Sequence, residues 1–438
     1  MPPLKYAEVF FCFYGGFMNY QQAMDYISQF SRLGKKVSDL SRIAELLGQL
    51  GNPQDKLKFV HIAGTNGKGS VLELCSDAAV NAGFKTGQFT SPFMECYEDR
   101  IRINNVNISH EKVAEIYSEV QKAVHGTHYS QFEITFAIAL LYYLDEKCDI
   151  VFLETGLGGL LDATNIIKNP LVTVITSISF DHEAILGNTI QKIAAQKAGI
   201  IKNNIPNVLS MGNCSEAVKK VSETAALMHS ELIIPDENNL KILSCNIDGS
   251  HFIYKNQEYF LRMNGIHQIQ NACTVIEAVN QINKKGFSIS SDDIRKSFAQ
   301  TQICGRTEII SRNPLVILDG SHNYDGFCAL RSVLKSIDLP VIAVIGMLKR
   351  KDYDIITAEI DEYPFNISDI ICVDGFLDGN VNAEKLAENF TFLKARAMNY
   401  KDGYKYALKK AAAENKAAAV FGSLYLVTEI KKFLKNAE

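Results

Sequence analysis

The chain has no closely spaced cysteine pair. Its ten cysteines are scattered, the nearest two being Cys75 and Cys96, 21 positions apart, so it carries neither a C-x-x-C redox motif nor a zinc knuckle. They read as reduced, mostly buried thiols of a cytosolic protein. No apolar run is long enough to span a bilayer. The early stretch VFFCFYGGFM follows Glu8 and lacks both a basic n-region and a small-residue cleavage site, so no export signal is expected and the location read from the sequence is cytoplasmic. Neither sign of charge is in excess: 45 Lys and Arg face 49 Asp and Glu, a net charge of −4 at pH 7. That balance gives no electrostatic reason to expect nucleic acid or a membrane surface as partner, and any anionic ligand must be held by local groups. Internal repeats and low-complexity segments are also lacking. What remains is an ordinary globular composition, 47% hydrophobic and 21% charged over 438 residues, longer than one core usually supports, so two domains are expected.

The most informative stretch is FVHIAGTNGKGS, Phe59 to Ser70. The usual phosphate-loop pattern has a glycine five residues before the Gly-Lys pair and Ser/Thr directly after the lysine. Here Ile62 holds the first position, Gly69 the last, and Ser70 comes one step late. The physical content survives the mismatch. KFVHIAG reads as a buried strand, and SVLELCSDAAVNAG has helical apolar spacing at Val71, Leu74, Cys75 and Ala78. Gly64, Thr65, Asn66, Gly67, Lys68, Gly69 and Ser70 therefore lie between strand and helix. Glycines there permit positive φ and let backbone N–H groups approach a phosphate at the positive end of a helix dipole. Lys68 would reach the β- and γ-phosphates, with Ser70 or Thr65 serving magnesium or phosphate.

Helical periodicity in YQQAMDYISQF and LSRIAELLGQL precedes this strand. DIVFLETG and LVTVITSIS then alternate with helical runs, which predicts a parallel α/β sheet with ligands at the carboxyl ends of its strands. The β-rich stretch from about 233 to 262 predicts a small antiparallel insert. LVILDGSHN, VIAVIGML, DIICVDG and AAAVFGS form a second α/β series, with Ile303 to Pro314 as the linker. The expected division is a P-loop ATP-binding domain over 1–304 and a smaller Rossmann-like α/β domain over 305–438.

Several residues can carry chemistry. Glu154 ends the strand IVFLE, a position suited to magnesium; Asp181 and His182 follow the next strand. Lys197 lies on the apolar face of NTIQKIAAQKAGII, with Ile190, Ile193, Ala194 and Ile201. It either snorkels to solvent or is held in a polar site, and burial would depress its pKa and supply the neutral amine that modification by carbon dioxide requires. Asp319 and His322 follow a strand of the second series, and Arg306 falls in the linker. Acids at facing strand ends with an arginine in a hinge suggest a site between two domains, closed against water.

Together, MNYQQAMDYI, HIAGTNGKGS, TSPFMECYEDRIRIN, FEITFAIALLYYL, ETGLGGLLDATN, ITSISFDHEAILGNTIQKIAAQKAGIIK, CGRTE, LDGSHN and FGSLYLV resemble, in order and spacing, folylpolyglutamate synthase and its bifunctional dihydrofolate synthase form, within the Mur ligase superfamily. The resemblance runs from Asn19 to the C-terminus. It implies that a substrate carboxylate attacks the γ-phosphate of ATP and that the amine of L-glutamate displaces phosphate from the resulting acyl phosphate. The acceptors implied are dihydropteroate and reduced folates. Only 63 residues, mostly helical, precede Gly64, where ligases acting on nucleotide-linked peptidoglycan precursors carry a whole domain, so a UDP-sugar substrate is not expected.

By the same resemblance, Ser91, Glu154 and His182 hold magnesium, two ions being expected, and a carbamylated Lys197 adds a carboxylate. Asn271, Arg306 and Asp319 bind nucleotide; Arg100, His322 and Ser423 face glutamate; Phe132 and Asp162 contact the pterin. Lys68, Lys197 and His322 are the expected catalytic groups, a monovalent cation is left open, and the molecule is expected to be a monomer. The sequence departs from the family at Phe93, Leu160, Gln196 and Tyr324, where histidine, arginine, glutamate and proline are usual, and CVDGFLDGN lacks the family's Pro-Arg signature. These departures bear on folate and glutamate specificity or on rate. Met18 is an alternative start. The competing readings are a P-loop NTPase with water or a hydroxyl as acceptor, a non-catalytic nucleotide-binding paralogue, and a ligase for a different carboxylate.

Overall fold

The computed structural model describes residues 18–31, 39–124, 126, 128–349 and 353–436. The question of a start at Met1 or Met18 concerns residues outside that set, as does most of VFFCFYGGFM. The first sheet contains β1 (Phe59–Ala63), β2 (Thr86–Phe89), β3 (Ile101–Ile103), β4 (Val106–Asn107), β5 (Ile150–Glu154), β6 (Val172–Ile175), β7 (Asn207–Leu209) and β8 (Leu232–Ile233). Their order is β4-β3-β2-β5-β1-β6-β7-β8. β1 runs parallel to β5 and to β6, and only β3 and β4 run antiparallel to their neighbours. All five residues of β1 and of β5 are buried, which is why these strands read as continuous apolar runs and not as alternations. From β1 the chain goes first to the β2 side and later to β6 on the other, so the crevice at the carboxyl end of β1 is a topological switch point.

Three hydrophobic clusters flank this sheet, one of them joining Ala63, Ile175 and Leu209 of β1, β6 and β7 to Ile193, Ala194 and Ala198 of the helix Ile190–Ala198. On one face the helix Lys68–Asn81 buries Val71, Leu72, Leu74, Cys75, Ala78 and Ala79 against the sheet and the helices Ile266–Lys284 and Ser291–Gln300. With both its sides covered, this helix has no polar stripe, and its buried Val71, Leu72 and Leu74 side chains contribute about 1.5–3 kcal/mol each. On the other face Ala23, Ile27, Ile43, Leu46 and Leu47 of the helices Tyr20–Ser28 and Ser41–Gln49 pack with the helix Gln131–Asp145.

The expected antiparallel insert is a three-stranded meander, β9 (Leu240–Asn246), β10 (Gly249–Tyr254) and β11 (Gln257–Leu261). It begins later than the sequence suggests, because Ile233 pairs with Val208 in the main sheet. Phe252, Tyr254, Tyr259 and Leu261 point into the first core, so the meander covers that core. The second sheet has the order β12-β13-β17-β14-β15-β16, with β12 Glu308–Arg312, β13 Leu315–Leu318, β14 Val341–Ile345, β15 Ile367–Asp374, β16 Ala395–Asn399 and β17 Ala417–Phe421. Part of the stretch read as linker is thus an edge strand: β12 pairs antiparallel with β13, and Ile309 and Ile310 face opposite cores.

Nine cysteines are among the described residues, all free, but only Cys75, Cys273 and Cys372 are buried, which corrects the expectation of mostly buried thiols. Cys96 and Cys214 are exposed at the N-terminal ends of the short turn Tyr97–Arg100 and of the helix Ser215–Leu227. No helix among the described residues is long and apolar enough to cross a membrane.

Candidate active site

The loop after β1 is fixed from one side by the segment after β6. The Thr65 N–H donates to Ser177 O at 2.6 Å. Thr65 Oγ1 donates to Ser179 O and accepts from Ser179 N, both at 3.1 Å. Thr176 Oγ1 donates to Asn66 O at 2.7 Å. A Cβ on Gly64 would fall 1.8 Å from Thr176 Oγ1, so only glycine fits this approach. Gly67, at φ 87°, caps the helix Lys68–Asn81, and Asn271 packs against it: a Cβ there would lie 2.7 Å from Asn271 Oδ1. Gly69 faces open space, and Ser70 is buried in the first turn. No side chain caps this helix start, the arrangement that the phosphate-cradle reading of the sequence calls for.

Lys68 Nζ donates to Gly64 O at 3.2 Å and to Thr65 O at 3.3 Å, and stands 3.8 Å from Glu154 Oε1. The other Glu154 oxygen accepts the Ser91 N–H at 3.1 Å. Burial pushes the Glu154 carboxyl above the usual range, against the opposing charges of Lys68 and Arg306. Lys197 is almost fully enclosed, so of the two readings of its apolar face the structure realises the buried one. Burial, with Lys68 nearby, pulls its pKa down to about 7, partly offset by Asp181. His182, half exposed, starts the helix Glu183–Leu186 in the left-handed region, with Nε2 3.7 Å from Asp181 Oδ1. Among the described residues no three His, Cys, Asp or Glu side chains cluster as a metal cage. A buried carboxylate with a hydroxyl residue beside it is nevertheless the hard-oxygen, partly protein-built donor set that magnesium takes.

Across the crevice lies the second sheet. Asp319 follows β13 and is tied down on both oxygens, Oδ2 accepting the Thr307 N–H and Oδ1 the Ser321 N–H, each at 2.8 Å. Arg306 directly precedes Thr307. His322 Nδ1 is 2.9 Å from Gly320 O, and its Nε2 is 3.7 Å from Asp181 Oδ2, so a histidine of the second half meets an acid of the first. Ser423 caps the helix Leu424–Lys435, its oxygen accepting the Tyr425 N–H at 3.2 Å. Arg100 lies over the Phe93 ring, 5.1 Å from its centroid.

Phe132 and Asp162 meet at Gly156, where a Cβ would be 2.8 Å from the Phe132 ring and 3.2 Å from Asp162 Oδ2. Asp162 accepts the Leu157 N–H at 2.8 Å and Thr164 Oγ1–H at 2.5 Å; burial raises its pKa against these bonds. Of the departing residues, Phe93, Leu160 and Tyr324 expose large apolar or aromatic surface. The Gln196 carbonyl accepts the Leu160 N–H at 2.7 Å. Asn323, Asp325 and Ser179 also line the crevice, and none is among the site residues that the sequence predicts. Asn323 carries a legible signal as an N-cap before the helix Tyr324–Leu334, whereas Asp325 carries none.

Residues 62–279 match the Mur ligase middle domain. The dihydrofolate synthase/folylpolyglutamate synthase of Bacillus subtilis is 33% identical over 445 aligned positions, covering 96% of this chain and all of the relative. The crystal structure of Mycobacterium tuberculosis folylpolyglutamate synthase complexed with ADP and AMPPCP superposes with a TM-score of 0.84 at 26% identity, covering 95% of this chain and 99% of that one. Escherichia coli FolC in complex with DHPP and ADP gives 0.83 at 26% identity over 95% and 98%.

Proposed function

Because the chain belongs to the dihydrofolate synthase/folylpolyglutamate synthase family, we propose that it couples ATP cleavage to the addition of L-glutamate to dihydropteroate and to reduced folates. The observation that carries this reading is the convergence of Lys68, Glu154, Lys197 and Asp181 at the carboxyl ends of β1, β5 and β6, opposite Asp319 and His322. A simple NTPase needs only the first group. A ligase must also hold an amine acceptor while excluding water from an acyl phosphate, and the second sheet closes over the loop on that side.

In this assignment Gly64 to Ser70 cradle the triphosphate and Lys68 neutralises charge on the transferring phosphoryl group. Asn271, Arg306 and Asp319 hold the nucleotide. Phe132 and Asp162 orient the pterin so that its carboxylate attacks the γ-phosphorus. Arg100, His322 and Ser423 orient glutamate, whose neutral amine then attacks the acyl carbon and expels phosphate. Ser91, Glu154 and His182 would hold magnesium, which supplies charge neutralisation when bound. A lysine with a pKa of about 7 is largely neutral in weakly basic solution. Lys197 Nζ is then able to form an N–C bond to carbon dioxide with release of one proton, leaving a carbamate anion where a neutral amine stood. We place the enzyme in the cytoplasm as a monomer.

Phosphate release from magnesium ATP and glutamate is compared with dihydropteroate, with tetrahydrofolate and without a pterin, with products identified by mass. Glutamylated products from both acceptors establish the bifunctional activity, and product from tetrahydrofolate alone narrows it to chain extension. Pterin-independent ATP hydrolysis, or silence with both acceptors, overturns the proposal.

A further inference from the structure

The phosphate loop is held from its second side by two residues that the reaction scheme does not use, Asn323 and Asp325. Asn66 and Asn323 exchange a pair of amide hydrogen bonds, Asn66 Nδ2 to Asn323 Oδ1 and Asn323 Nδ2 to Asn66 Oδ1, each 3.2 Å long. Asp325 Oδ2 accepts from Asn66 Nδ2 at 3.1 Å and from Ser179 Oγ at 3.2 Å. Ser179 is the residue whose backbone brackets Thr65 Oγ1. Asp325 therefore reaches two successive loop residues, Asn66 directly and Thr65 through Ser179. Asn323 Oδ1 also accepts the Gly326 N–H at 2.8 Å, so Asn323 cannot turn away without uncapping its own helix.

An acid aimed at a loop that cradles a polyanion is electrostatically unfavourable for nucleotide binding. Its own helix start offsets part of that cost, but both of its donors lie in the first half of the chain. We propose that Asp325 is a positioning residue that sets Asn66, and with it the phosphate loop, only while the second half is docked. Closure and loop geometry are coupled through this carboxylate, beside the Asn66–Asn323 amide pair. The effect on turnover rests on the ligase reading above; the effect on the loop does not.

The test uses the full chain as parent, Asp325→Ala and Asp325→Asn, with hydrogen–deuterium exchange read on peptides spanning Gly64 to Ser70, with and without magnesium ADP. Removing two hydrogen bonds of ordinary strength is expected to speed exchange at the loop about tenfold in D325A. In D325N an amide oxygen keeps the acceptor, and exchange stays near that of the parent. In steady state D325A is expected to lower kcat about tenfold with KM for ATP unchanged or lower, and D325N to restore most of it. Unchanged loop exchange in D325A, or a D325N variant as impaired as D325A, overturns the proposal. So does a loss of kcat that heat stability alone accounts for. If the parent ligates no glutamate to any pterin, the ligase reading falls, while the exchange comparison still decides the role of Asp325.

Discussion

Lys68 Nζ stands 3.8 Å from one oxygen of Glu154, while the other oxygen accepts the Ser91 N–H at 3.1 Å. A loop cation and a strand-end acid thus stand side by side, the pair proposed to face one phosphate and one metal ion. Glu154 is buried and its pKa is raised by that burial, so Glu154→Gln removes a charge the fold disfavours, while Lys68 keeps its two carbonyl acceptors. The expected outcome is a melting temperature no lower than the parent's, with ligation reduced about a hundredfold or more. The magnesium concentration needed for half-maximal activity should rise. A magnesium titration of the variant checks this, and unchanged magnesium dependence would remove Glu154 from the proposed metal site.

Lys197 predicts a particular pH dependence. Its folded-state pKa is lowered to about 7, below the ordinary lysine value of about 10.4. Between those values the unfolded chain binds the extra proton, so stability rises with pH across the window, and the cost of burying the cation is fully present below pH 7. Lys197→Met abolishes this term, so its stability gain over the parent is largest below pH 7 and fades towards pH 10. Denaturant titrations at several pH values measure it. Under bicarbonate, carbon-13 NMR of the parent should show a carbamate that K197M lacks. The absence of that signal at pH 8 would mean that the amine remains unmodified.

Much of this site is legible along the chain because its parts are local. The strand, glycines and lysine from Phe59 to Ser70 follow one another, and Glu154 ends a strand whose apolar run is plain. Lys197 was legible only as a choice, since periodicity places a side chain on a face without saying whether that face is sealed. Asn66 and Asp325 are 259 positions apart, and no local pattern announces their contact. β12 escaped for a different reason. Its polar ends and its place at a sheet edge resemble a linker, and the alternation of Ile309 and Ile310 between two cores is too short to stand out.

Gly64 tests the loop itself. Thr176 Oγ1, 1.8 Å from where a Cβ would sit, cannot swing aside without losing its bond to Asn66 O. Gly64→Ala is therefore expected to cost about 2–3 kcal/mol of stability through local strain. Nucleotide affinity should fall more steeply than the melting temperature suggests. Calorimetric titration with ADP, alongside thermal unfolding, separates the two effects. A variant that binds ADP as tightly as the parent would show that the loop relaxes and that the cradle is not shaped by this contact.

The pairing of Phe132 and Asp162 at Gly156 yields the sharpest separation between acceptor and nucleotide. Phe132 also packs edge-on against Phe89, 5.6 Å between centroids, so an alanine there would unsettle the core and blur the result. Phe132→Leu keeps most of the volume and removes the flat face, and the loss of an aromatic contact to a pterin is expected to raise KM for dihydropteroate about fivefold. KM for ATP should not move, because the groups proposed for the nucleotide, Gly64 to Ser70 with Asn271, Arg306 and Asp319, do not include Gly156 or Phe89, against which Phe132 packs. Asp162→Asn is a coarser probe: it places an amide donor against backbone N–H groups that now meet a carboxylate, costing about 1–3 kcal/mol in the fold itself. Initial rates with each substrate varied in turn decide the matter. Equal changes in both KM values for F132L would make Phe132 a packing residue, and the acceptor would then have to be held elsewhere in the crevice.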